Sequence, residues 1–151
     1  DYFRRVQGFS GPVDLIENKV SALPDPLETG AIGPSQPGPW TIGWFGMLRC
    51  RRSLAILGRL AARYDGRVRV LIAGLPSPDV FPDFPAEVAR LPGVEYVGPY
   101  RPQDLPRLYG RVHFAWCIDY FEEGLNSAWL LPNPWMLPAM MAAGLIAGFG
   151  D

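Results

Sequence analysis

With 151 residues, 48% apolar and 19% charged, the chain is long and apolar enough for one domain with a core and too weakly charged for a disordered segment. Its net charge of −1 and the lack of any polybasic tract argue against a nucleic-acid partner. Two cysteines, Cys50 and Cys117, show no CxxC spacing and make no metal site by themselves. They read as reduced thiols, which points to a cytoplasmic protein.

The N-terminus is charged and interrupted by Gly and Pro, unlike a signal peptide. The longest apolar run, Met136 to Phe149, is too short to span a bilayer and carries Pro138. A soluble protein is expected, and peripheral association with the inner face of a membrane stays compatible with that. Val13 to Val20 reads as a short strand, and Ser21 to Pro39 as a Pro- and Gly-rich strap. Residues 1–39 are therefore expected to form an interdomain linker and residues 40–151 the folded domain.

From Trp40 a repeating alternation begins. Trp40 to Gly46 predicts a strand running into a Gly-bounded turn. Arg51 to Tyr64 predicts a helix, with Leu54, Leu57, Leu60, Ala61 and Tyr64 on one face and Asp65-Gly66 ending it. Arg69 to Gly74 is the second expected strand, and Pro85 to Leu91 a short helix. Val94 to Tyr100 is the third strand, Pro102 to Tyr109 a helix with proline in its first turn, and Val112 to Ile118 the fourth strand. A proline-interrupted helical stretch through Ala143 then leads to a fifth strand from Leu145 to Phe149. That strand stops almost where the chain stops, so part of the parent domain is expected beyond it. Continuous apolar strands separated by helices imply a parallel sheet covered on both faces, a Rossmann-like α/β domain.

Ligands of such sheets bind beyond the carboxyl ends of the strands. Two places qualify. The turn after the first strand lacks the GxGxxG pattern of a dinucleotide site but carries Arg49, Arg51 and Arg52. Arginine there can fork onto a diphosphate; the plain alternative is solvated charge at a helix start, although cations near a positive dipole end are unfavourable. The loop after the fourth strand, Asp119 to Asn133, places Glu122 and Glu123 beside an expected helix N-terminus, with Gly124, Asn126 and Ser127 following. The carboxylates can accept hydrogen bonds from sugar hydroxyls or simply stabilise the helix start. His113, the single histidine, lies at the wrong end of its strand and reads as structural. Asp119 is better placed, with its direction unreadable. The tryptophans (Trp40, Trp44, Trp116, Trp129 and Trp135) read mostly as core filling, with one or two able to stack on a base or sugar.

These segments resemble a known family. The order strand, arginine turn, helix, strand, then Tyr96-Val-Gly-Pro-Tyr100, Leu105-Pro-Arg-Leu-Tyr109 and the Glu-Gly loop is similar to the C-terminal, donor-binding half of GT-B glycosyltransferases. Trp44-Phe-Gly-Met-Leu-Arg-Cys-Arg-Arg-Ser53 and Gly124-Leu-Asn-Ser-Ala-Trp-Leu-Leu-Pro-Asn133 look like the bacterial exopolysaccharide enzymes of succinoglycan type, and Glu17-Asn-Lys-Val20 like their interdomain stretch. The resemblance implies a nucleotide-sugar donor as substrate, no cofactor and no metal. It also implies hexosyl transfer to a lipid-linked or oligosaccharide acceptor through an N-terminal half outside this chain, so that these residues alone would bind without turning over. By the same resemblance Arg49 and Arg52 meet the diphosphate, and Glu122 or Glu123 is the first acid of the Glu-x7-Glu motif. Gly124, Asn126 and Ser127 meet sugar and phosphate, and Tyr100 and Arg101 line the base. The chain departs from the pattern at the second acid. Its place falls at about Ala139, and no acid occurs between Gly124 and Phe149. Either the ribose is held otherwise, with Asn133 as one candidate, or donor binding is lost and the domain is a non-catalytic scaffold. A receiver-like or flavodoxin-like domain is a weaker third reading, since a receiver needs clustered acids at its first strand end and Trp40 to Gly46 contains none.

Overall fold

The structure, a computed structural model, describes residues 2–5, 8–12, 38–121 and 144–146. After a single helical turn, α1 (Tyr2–Arg5), the elements are β1 (Trp40–Leu48), α2 (Arg51–Arg63), β2 (Val68–Pro76), α3 (Phe84–Val88) and β3 (Val94–Tyr96). A 3-10 turn (Pro102–Asp104) then leads into α4 (Leu105–Tyr109), β4 (Phe114–Trp116) and β5 (Gly144–Ile146). All strand pairs are parallel, in the order β3-β2-β1-β4-β5.

The packing explains the order. Leu54, Leu57 and Ala61 of α2 and Phe84 and Val88 of α3 bury against Ile42, Trp44, Leu48, Val70 and Ile72 on one face. Leu105, Leu108 and Tyr109 of α4 bury against Phe45, Leu71, Ala73 and Ala115 on the other. β1 to β2 to β3 steps one way across the sheet, and the chain then jumps back over both to place β4 on the far side of β1. A right-handed crossover in the reversed direction puts its helix on the opposite face. The fold is thus Rossmann-like α/β with helices on both faces, as the alternation predicts, and the order reverses between β1 and β4.

Several boundaries differ from the expectation. β1 and β2 are longer, pairing through nine registers from Trp40↔Val68 to Leu48↔Pro76. β3 stops at Tyr96, because the backbone turns through Gly98 (φ +86°) and Pro99 has no amide to donate. β4 is three residues long; Ile118 gives its carbonyl to Ser53 instead of to a strand. Trp40 is not core: it is 55% exposed, at the amino edge against His113 and Phe114. No disulfide joins Cys50 and Cys117, and Cys50 is buried. Among the described residues no helix is long and apolar enough to cross a membrane. The expected strand at 13–20, the strap at 21–37, the helical stretch through Ala143, and Trp129 and Trp135 lie outside the described residues.

Tyr109 marks a soft spot in the α4 face. It is fully buried, edge-on to Phe45 at 5.1 Å, and its hydroxyl has no hydrogen-bond partner among the described residues. Burial above all, with Cys117 and Tyr100 adding to it, holds its phenol far above the ordinary 10.0. Burial likewise pushes the Cys117 thiol up to about 11. Both groups favour the fold while protonated, so their contribution is complete at neutral pH and falls once the unfolded chain ionises and the folded chain does not. Tyr109→Phe is expected to hold or raise stability at pH 7 by up to about 1 kcal/mol, since it removes an unsatisfied buried hydroxyl. It should also flatten the decline above pH 10. Urea midpoints at pH 7 and pH 10.5 check both.

Candidate functional site

β1 and β4 share only two register pairs, Ile42↔Phe114 and Gly43↔Ala115, so their ladder ends well before the carboxyl ends. What joins them beyond is side-chain chemistry. The Trp116 indole donates to the Ser53 hydroxyl at 3.1 Å, and that hydroxyl donates to the Ile118 carbonyl at 3.0 Å. Ser53 is completely buried. The Cys50 sulfur caps α2, accepting from the amide of Ser53 at 3.3 Å and from that of Tyr120 at 3.4 Å. The exit of β4 is therefore clipped onto the first turn of α2.

Arg49 bridges this seam. Its Nε and Nη2 donate to Oδ2 of Asp119 at 3.1 and 2.9 Å, and Oδ1 of Asp119 accepts the Phe121 amide at 2.9 Å. The two side chains are 33% and 27% exposed. The guanidinium of Arg49 lies 5.0 Å over the Phe121 ring, that of Arg52 4.2 Å over Tyr120, and that of Arg51 4.9 Å over Phe81. Arg51 also pairs with Glu87 at 3.0 Å.

A second feature borders the seam. Gly46, Gly74 and Gly98 stand at the ends of three adjacent strands with φ of +123°, +147° and +86°. The Gly74 amide donates to the Gly98 carbonyl at 2.9 Å, and the Tyr96 hydroxyl donates to the Gly74 carbonyl at 2.9 Å. A Cβ at Gly46 or Gly98 would meet nothing within 4 Å. This leaves bare backbone open to approach at the carboxyl edge. Exposed Met47, Leu75 and Val97 follow or precede these glycines. Sequence reasoning missed the row, although Phe-Gly-Met, Ala-Gly-Leu and Val-Gly-Pro recur at three strand ends.

Of the residues expected at the site, Arg49 and Arg52 lie at this seam, and Asp119 turns out to face Arg49. Tyr100 and Arg101 make contacts of their own. Tyr100 packs its half-buried ring on Phe45, on the α4 face, where burial raises its pKa, and the exposed Arg101 donates its amide to Asp104 at 3.0 Å. Glu122, Glu123, Gly124, Asn126, Ser127 and Asn133 lie outside the described residues. His113 is structural: its Nδ1 accepts the Thr41 amide at 3.0 Å and its own amide donates to the Thr41 carbonyl at 2.8 Å, at the amino edge. Open hollows lined by Trp40, Tyr64 and Arg67, and by Thr41, Glu95 and Arg111, also lie at that amino edge. We place the candidate site at the opposite edge, because ligands of open parallel sheets sit where the strand order reverses, beyond the carboxyl ends.

The chain is 47% identical over 137 residues to the succinoglycan biosynthesis protein ExoL of Rhizobium meliloti (strain 1021). That match covers 87% of this chain but only 34% of the relative, so the chain spans about a third of its length. No family model matches, and no solved structure does.

Chemically the seam favours anions. α2 has no acid in its first turn, and a thiol, a weak acceptor, occupies its N-cap. Three guanidiniums stand at that positive end of the helix, against the carboxylates of Asp119 and Glu87. Among the described residues no group of three His, Cys, Asp or Glu side chains comes together.

Proposed function

We propose that the chain is the donor-binding part of a glycosyltransferase of exopolysaccharide assembly, taking the diphosphate of a nucleotide-sugar at the β1–β4 seam. The observation that carries this reading is the position of Arg49, a partly exposed guanidinium fork at the carboxyl end of β1 where the strand order reverses. The similarity to ExoL supports the setting in exopolysaccharide synthesis. Arg52 assists from the first turn of α2, and the open backbone at Gly46 and Gly98 gives the ligand close access to the main chain. Glu122 or Glu123 holds sugar hydroxyls. The acceptor, lipid-linked or oligosaccharide, is bound by a part of the enzyme beyond these residues, at the cytoplasmic face of the membrane.

Titration calorimetry with UDP, GDP and ADP tests the reading. One of the three is expected to bind saturably, and Arg49→Ala to weaken it by about 10- to 100-fold, the loss of a charged hydrogen-bond pair. Glu123→Ala should spare the nucleotide and weaken only the nucleotide-sugar. Failure of all three nucleotides to bind would favour a second reading, a non-catalytic scaffold descended from a donor domain. The absence of any acid between Gly124 and Phe149 is the observation behind that alternative.

A further inference from the structure

The Arg49–Asp119 pair has an unusual geometry for a permanent structural bridge. An arginine fork is strongest when its two parallel N–H groups meet two separate oxygens. Here both Nε and Nη2 converge on Oδ2 alone, at 3.1 and 2.9 Å, because Oδ1 is held by the Phe121 amide at 2.9 Å. Asp119 is thus tied into its own turn and offers the guanidinium only one oxygen. The fork remains 33% exposed, beside the open glycine edge. The loop that carries Asp119 has anchors besides Arg49. Tyr120 is held through its amide to Cys50 and its ring against Arg52, and Ile118 through its carbonyl to Ser53.

We propose that Asp119 is a built-in competitor for the diphosphate: it occupies Arg49 in the unliganded protein and surrenders it to a phosphate oxygen pair on binding. This rests on the donor-binding reading above and adds a residue to it. The ligand's diphosphate presents paired oxygens to the fork that Asp119 cannot. After the exchange Asp119 keeps the Phe121 amide, so the loop holds its shape while one carboxylate charge loses its partner. Part of the binding energy is then spent on separating that pair, and removing the charge of Asp119 should tighten binding. A residue that merely braced the loop would do the reverse.

The test is calorimetric titration of the whole chain with inorganic pyrophosphate and with UDP, GDP and ADP, comparing wild type, Asp119→Asn, Asp119→Ser and the double variant Arg49→Ala/Asp119→Asn. Asparagine and serine both keep an oxygen for the Phe121 amide, and backbone amide spectra confirm the fold of each variant. The expected result is at least threefold tighter binding of pyrophosphate and of the preferred nucleotide by both single variants, with the gain abolished in the double variant. Unchanged or weaker binding by folded Asp119→Asn and Asp119→Ser, with wild type still binding, overturns the competitor role and leaves the donor site standing. A gain that survives loss of Arg49 also overturns it. No binding by wild type or by any Asp119 variant overturns both.

Discussion

Gly74→Ala is expected to cost roughly 3–5 kcal/mol, a large part of the about 5–15 kcal/mol that holds a typical domain folded. A Cβ at Gly74 would lie 1.8 Å from the Gly46 carbonyl oxygen and 2.9 Å from its carbon, and both are backbone atoms. They cannot yield without breaking the nine-residue register between β1 and β2. The φ of +147° adds strain for any L side chain. Gly46→Ala is the matched control. Its φ of +123° carries strain, but its Cβ would enter open space, so it should cost only about 1–2 kcal/mol. Urea midpoints of the two variants decide the matter: equal losses would mean that the two strands do not approach as closely as described.

Phe84→Ala should cost about 3–5 kcal/mol, the usual loss when a buried aromatic leaves a cavity. Phe84 is 1% exposed and meets Trp44 at 6.4 Å, Phe81 at 4.9 Å and Tyr96 at 5.0 Å, each edge to face. It therefore ties α3 to β1 and β3 at once. The effect should reach the carboxyl edge, because Tyr96 also donates to the Gly74 carbonyl. Phe84→Leu, which keeps much of the volume, is expected to recover more than half of the loss. Chemical denaturation of the pair measures it, and a small loss in Phe84→Ala would mean that the ring cluster is not a support of the sheet.

The alternation of β1, α2 and β2 was legible because their apolar periods are long and unambiguous. The shorter elements were not. Val97 and Ile118 continue apolar runs and so read as strand, yet Val97 leads into a glycine turn and Ile118 bonds to Ser53. Phe84 looked like a loop residue before Pro85, and nothing in spacing marks it as the hub of an aromatic cluster. Arg49 and Asp119 were both visible as residues at strand ends, but their pairing spans 70 positions and turns on side-chain direction, which periodicity does not encode. Cys50 read only as a reduced thiol because cysteine is an uncommon helix cap; its two accepted amides are a property of the assembled seam. The Glu122 to Ser127 segment, prominent in the sequence, falls outside the described residues.

The arginines that lie over Phe121, Tyr120 and Phe81 have a practical consequence for chemistry done on this protein. Every basic side chain in residues 38–121, apart from His113, is a guanidinium, and the one lysine of the chain is Lys19. Amine-directed reagents, the usual carriers of fluorophores, tethers and crosslinks, find no side-chain amine anywhere between β1 and the loop after β4. The protein can be immobilised or labelled through its amines while the cations of the seam stay chemically untouched.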